Sequence, residues 1–293
     1  MTHKLTDGHV ARHYQGVKGG RDAALLDIAQ DFALHHLHEQ GLFERSLVFK
    51  GGTALRKFRA GSTGRFSTDL DFSAPEEAVA LDVLQALDGV DVDGFRFAIT
   101  NMGDDGRRGD LRVETPFGTP DIGAKLELSR HGLSLPAEVI DPVPQVVHGR
   151  YGFTLPPLPV VRMEEAIAEK LARYRRVSLA RDLYDLAWFA EAGALDDPLV
   201  RQLWVLKAYR DVVVDGRGIK PLDPEEILAD REVADFDRED IGYLTKPVDM
   251  PKWLSQVQTR YAFLRDLTPD ELRWCACNAR DRYEVEQILS NLS

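Results

Sequence analysis

Near the start of the chain apolar side chains fall three and four apart. Leu25, Ile28, Ala29, Phe32, Ala33 and Leu37 predict a helix over 22–40 that Gly41 ends. Ser46-Leu-Val-Phe-Lys50 predicts a short buried strand, and Gly51-Gly52-Thr53 then opens a brief helix to about Arg59. The small residues from Ala60 to Gly64 predict a mobile turn. Alternation returns in Asp69-Leu-Asp-Phe-Ser73, where a strand puts Asp69 and Asp71 on one face and Leu70 and Phe72 on the other. A helix over 76–88 and strands over 94–101, 109–115 and 121–129 follow, with turns at 101–106 and 116–120. The proline-rich stretch from Pro136 to Pro159 reads as an extended connection. Beyond it the spacing is helical over 163–176, 179–192, 196–214, 224–230, 252–266 and 269–291, the last helix opened by the capping box Thr268-Pro-Asp-Glu271. This order predicts an α+β lobe with a mixed sheet over residues 1–155 and a mainly helical lobe over 156–293, with the site in a cleft between them.

With 44% hydrophobic and 29% charged residues the chain reads as an ordinary globular protein. No apolar run reaches the length of a membrane span, and the N-terminus lacks the apolar stretch of a secretory signal. Cys275 and Cys277 are poorly spaced for a disulfide and too few for a zinc site, so a reducing cytoplasm is expected. A net charge of −11 is unfavourable for a nucleic-acid partner unless basic residues gather locally. Two stretches meet that condition on paper. Lys50, Arg56, Lys57, Arg59 and Arg65 form one without an intervening acid, and Lys170, Arg173, Arg175, Arg176 and Arg181 form the other.

The chemistry concentrates in Lys50-Gly-Gly-Thr-Ala-Leu-Arg56 and Ser67-Thr-Asp-Leu-Asp71. Two glycines between a strand and a helix let backbone approach a phosphate, and the helix N-terminus offers amides and positive dipole to it. Thr53 can add a hydroxyl. Asp-x-Asp on the neighbouring strand is a hard oxygen site suited to Mg²⁺ or Mn²⁺. A metal-bound triphosphate held by both parts would be set for in-line attack by a hydroxyl. Arg65 and Ser67 flank the aspartates, the arginine able to clamp a phosphate and the serine sharing the face of Asp69.

Val-Phe-Lys-Gly-Gly-Thr-Ala-Leu-Arg with Arg-Phe-Ser-Thr-Asp-Leu-Asp-Phe-Ser resembles the AbiEii/AbiGii family of nucleotidyltransferase toxins, and within it the MenT group of mycobacterial toxins. Glu164-Glu-Ala-Ile-Ala-Glu-Lys-Leu-Ala-Arg173 and Ala180-Arg-Asp-Leu-Tyr-Asp-Leu186 agree with it, and the likeness covers about residues 20–190. The resemblance implies a polymerase-β-like fold, an NTP substrate, and nucleotide transfer to RNA, above all to the tRNA 3′ end, within a toxin–antitoxin pair. It implies Asp69 and Asp71 as metal ligands, Lys170 as the phosphate lysine and Asp185 as the acid of the second motif. Such sites take a third carboxylate from a neighbouring strand. Glu127 suits that role, and alternation equally allows it an ion pair with Lys125. Asp182, three residues before Asp185 on the same helix face, is the alternative acid or, beside Arg181, a residue that orders the helix; Asp185 is preferred. Arg173, three residues after Lys170, is a second nucleotide-binding cation. Transfer to a protein or small molecule, and an inactive module that only holds an antitoxin, are the alternatives.

Overall fold

The computed structural model describes residues 4–14, 20–118, 121–236 and 247–292. The chain divides into two compact units. Of the described residues, one unit holds those up to Gly132 together with Ala137–Val161, and the other holds Leu133–Pro136, 162–236 and 247–292.

The first unit begins with helices α1 (Asp7–His13) and α2 (Gly20–Glu39). Strand β1 (Val48–Lys50) runs directly into α3 (Gly51–Leu55), which continues as a π turn over Arg56–Ala60. Then come β2 (Asp69–Ser73), α4 (Glu77–Leu87), β3 (Asp91–Val92), β4 (Phe95–Thr100), β5 (Arg108–Glu114), β6 (Ile122–Ser129), β7 (Glu138–Ile140) and β8 (Leu158–Val160). All eight strands join one mixed sheet in the order β3-β4-β5-β6-β2-β1-β8-β7. β2 lies parallel to β6 and antiparallel to β1, which is parallel to β8.

Two of these strands, β7 and β8, lie inside the proline-rich stretch expected to be a bare connection. Pro159 is tolerated because β8 is only three residues long, and its neighbours Leu158 and Val160 are buried against the sheet. The turn after α3 is not loose either, because the Arg56 guanidinium donates to the carbonyls of Gly61 and Gly64. Alternation does what the sequence predicts in β2 and β6, where Leu70, Phe72, Leu126 and Leu128 are buried and the intervening residues face outward.

The second unit is helical: α5 (Met163–Arg176), α6 (Ala180–Ala190), α7 (Asp197–Val213), α8 (Glu225–Leu228), α9 (Met250–Arg260), α10 (Pro269–Cys275) and α11 (Arg282–Asn291). The Thr268 capping box opens α10 as expected. The single helix predicted over 269–291 is broken, however, because Cys277 adopts a left-handed backbone (φ 51°) and ends the pattern. Among the described residues no helix is long and apolar enough to cross a membrane.

α2 is buried nearly all round, and three of its buried side chains are polar: Asp27, Gln30 and Asp31. They carry the neighbouring segments. Asp27 accepts from Arg56 at 2.9 Å, from Lys57 at 3.2 Å and from His13 at 2.7 Å. Asp31 meets Lys57 at 2.7 Å and the Tyr151 hydroxyl at 2.7 Å. Gln30 donates to the Ser67 carbonyl at 3.0 Å. Burial alone would raise the Asp27 carboxyl, but Arg56, Lys57 and the His13 hydrogen bond together hold it well below the usual carboxylate range.

Asp27→Asn should therefore cost ~3–5 kcal/mol at neutral pH, since it takes the acid from the buried Arg56 and leaves Lys57 to Asp31. A carboxyl held low in the folded state gives its full stability above the unfolded value of about 3.9 and loses it as pH falls through the folded value. Urea unfolding should show wild type and variant converging only well below about pH 4.

Candidate active site

The site grows from the junction of β1 and α3. Lys50 ends the strand in extended backbone (φ −144°), and Gly51 then turns the chain with φ +79°. A side chain at Gly51 would be excluded twice over. The backbone is left-handed, and an added Cβ would stand 2.1 Å from Asp71 Oδ2. At Gly52 an added Cβ would meet Arg65 Nη2 at 2.4 Å and Ser67 Oγ at 3.0 Å. The double glycine is thus needed for a reason the sequence alone did not suggest. Its bare backbone receives the site's own side chains, the Asp71 carboxylate on one residue and the Arg65 guanidinium and Ser67 hydroxyl on the next.

β2 is fixed beside this bend by two ties. The Thr53 hydroxyl donates to the Asp69 carbonyl, and Gln30 holds the Ser67 carbonyl from α2. Thr53 is fully buried and its one proton goes to backbone, so it fastens the strand where a phosphate contact was expected. The Asp69 carboxylate accepts from the Thr68 hydroxyl at 3.0 Å.

Register extends the site across the sheet. Lys50 pairs with Asp71, Asp71 with Glu127, and Glu127 with Arg108, so these four share one face in a row across β1, β2, β6 and β5. Asp69 similarly pairs with Lys125 and Lys125 with Asp110. Glu127 does form an ion pair, but with Arg108 at 3.1 Å rather than with Lys125. Arg108 was missed because the strand was expected to begin at 109; one further residue of alternation would have placed it on this face.

A divalent cation fits this donor set. Asp69 and Asp71 lie two apart on one strand face, and Glu127 is the direct cross-strand neighbour of Asp71. Among the described residues no three acidic, histidine or cysteine side chains are gathered into a complete metal cage. Mg²⁺ takes one or two protein carboxylates and completes its shell with water and substrate phosphate.

The remaining candidates form a second cluster, in the helical unit. Lys170 Nζ, on α5, meets Asp182 at 2.9 Å and Asp185 at 2.7 Å on α6, and Arg173 reaches Asp182 at 3.2 Å. Asp182 does more than order its own helix, because it binds both cations and is fully buried. Tyr174, next to Arg173 on α5, is fully buried with the Arg231 guanidinium over its ring, so it offers no face for a base to stack on.

The two expected positive patches are not surface patches. In the first, Arg56, Lys57 and Arg65 are only 3%, 1% and 6% exposed, and Arg59 is paired with Glu138 at 2.6 Å. In the second, Lys170 and Arg175 are buried, Arg175 is paired with Glu226, and Arg176 meets Asp211 at 3.1 Å. Uninterrupted basic sequence concealed acids supplied by distant segments.

The chain matches, over residues 34–290, the family model described as nucleotidyl transferase AbiEii toxin of a type IV toxin–antitoxin system. The chain belongs to the AbiEii nucleotidyltransferase toxin family. Its fold is that of a solved member: MenT4, a nucleotidyltransferase toxin of Mycobacterium tuberculosis H37Rv, shares 53% identity over 98% of this chain and 99% of its own, with a TM-score of 0.94. Two Helicobacter pylori structures share 17% and 16% identity, cover 84% and 92% of this chain and 97% of their own, and reach TM-scores of 0.47 and 0.45. Likenesses that distant carry no argument. No match was found among proteins of curated function. The AbiEii resemblance read from the two motifs is therefore correct, and the chain is a nucleotidyltransferase toxin.

Lys170→Met should separate structure from catalysis in the helical cluster. It removes the cation that the buried Asp182 and Asp185 share, so stability should fall by ~3–5 kcal/mol in denaturant unfolding. Arg173→Ala, at a side chain 37% exposed, should cost no more than about 1 kcal/mol. A Lys170→Met protein as stable as wild type would contradict the structural role.

Proposed function

We propose that this AbiEii toxin transfers a nucleotide from an NTP to an RNA 3′ hydroxyl, that of the tRNA acceptor end, in a reaction that needs Mg²⁺ or Mn²⁺ and blocks translation. The observation that supports the catalytic part is the close approach of the Asp71 carboxylate to Gly51, at the N-terminus of α3. The RNA acceptor rests on the resemblance to the MenT group. As a toxin of a toxin–antitoxin system the protein also takes a cognate antitoxin as partner.

A bound divalent cation supplies neutralisation of the triphosphate and polarisation of the attacked phosphorus. The residues supply the rest. Asp69 and Asp71 hold the cation's site, and Lys50, Arg65 and Ser67 present charge and a hydroxyl to the phosphates beside the Gly51–Gly52 bend. Glu127 takes the proton of the attacking hydroxyl. The acceptor oxygen then bonds to the α-phosphorus, the bond between the α-phosphorus and its bridging oxygen breaks, and pyrophosphate leaves.

A second reading, transfer to a protein or small molecule, draws support from the net charge of −11 and from the ion pairing of both basic stretches. The inert-module alternative is disfavoured by the glycine–carboxylate contact, which a pure binding surface has no use for.

Incubation with α-labelled NTPs, total RNA and Mg²⁺ should label RNA. Asp71→Asn should lower that labelling by at least about 100-fold, the scale of removing a group that stabilises charge in the transition state. Label confined to protein or small molecules would overturn the RNA acceptor and leave nucleotidyl transfer standing.

A further inference from the structure

The charged row on the open face of the sheet has a direction. Lys50 stands at one end and Arg108 at the other, with Asp71 and Glu127 between them. The glycine bend lies at the Lys50 end, because α3 leaves β1 directly after that residue. Arg108 lies on β5, two strands beyond β2 on the side away from the bend, about 10 Å from Asp71 at ordinary strand spacing.

Arg108 is also reachable. Its side chain is 59% exposed, Glu127 is 46% exposed, and they meet at 3.1 Å. A pair that open to water is weak, so a better anion can replace the carboxylate. The other arginines on this face are engaged farther out: Arg112 binds Asp121, and Arg96 lies 3.4 Å from Glu114 and 3.9 Å from Asp91. Lys125, exposed on the same face and registered between Asp69 and Asp110, adds positive charge beside Arg108.

We propose that Arg108 is the acceptor-side anion site of this enzyme, binding a backbone phosphodiester of the incoming nucleic-acid strand. The proposal rests on the RNA-acceptor reading above and gives it a location. A planar guanidinium suits a phosphodiester, which it can grip with two parallel hydrogen bonds. Exchange of partners follows from the arrangement. In this structure Arg108 holds the Glu127 carboxylate at 3.1 Å; when a phosphate takes the guanidinium, Glu127, the cross-strand neighbour of Asp71, is freed for the attacking hydroxyl. Acceptor binding and readiness of the base are thereby linked through one side chain.

The test measures KM for RNA and for NTP separately in wild type, Arg108→Ala and Arg108→Lys, across a series of salt concentrations, with Arg112→Ala as a control on the same face. Arg108→Ala should raise KM for RNA about 10-fold, leave KM for NTP within about 2-fold, and flatten the plot of log affinity against log salt by about 0.7, the loss of one single-strand phosphate contact. Arg108→Lys should restore the salt slope and only part of the affinity, and Arg112→Ala should behave as wild type. If Arg108→Ala instead changes kcat and its pH profile while RNA KM and salt slope stay put, the arginine serves Glu127 alone and the proposal is overturned. If wild-type enzyme labels no RNA, the acceptor reading fails and this site with it. RNA labelling with an unmoved RNA KM sinks this site alone.

Discussion

Everything at the candidate site depends on one close approach: the Asp71 carboxylate lies where the side chain of residue 51 would be. A left-handed glycine is the only residue that both turns the chain there and leaves the space open. The same logic repeats one residue on, where Arg65 and Ser67 use the space above Gly52. The two motifs, separate in sequence, are therefore halves of one packing unit. Altering either glycine would displace the Asp71 carboxylate or the Arg65 guanidinium, even where the backbone could accommodate the change.

Beneath this contact lies a foundation of buried charge. Asp27 and Asp31 on α2 bind Arg56 and Lys57 in the π turn that continues α3, while Gln30, on the same helix, holds the segment entering β2. Buried ion pairs add little net stability compared with apolar packing, because desolvation offsets most of their attraction. What they do provide here is position: one helix face sets both the glycine bend and the aspartate strand. Much of the chain's basic sequence is compensated internally, and the cations on the open sheet face stand among carboxylates.

The elements nearest the site were legible because their patterns are strong and local. Alternation in Asp69–Ser73 and the glycine pair after an apolar run needed nothing from the rest of the chain. What was not legible depended on partners far away in sequence. Asp27 and Asp31 look like the polar side of an amphipathic helix until Arg56 and Lys57 are seen to need them. The basic runs look like surface patches until Glu138, Asp211 and Glu226 are found against them. β7 and β8 were hidden by prolines, which flank β7 and, inside β8, are made harmless by its three-residue length. Cys277 broke the last helix through its backbone conformation, for which an ordinary helical pattern carries no sign.

Binding of Mn²⁺, followed by its paramagnetic signal with and without a non-hydrolysable NTP, tests the account most directly. Two protein carboxylates and a triphosphate should make a site that neither makes alone, so tight Mn²⁺ binding should need the nucleotide and should disappear in Asp71→Asn. Tight nucleotide-dependent binding that survives Asp71→Asn unchanged would contradict the claim that this carboxylate and the glycine bend form a single site.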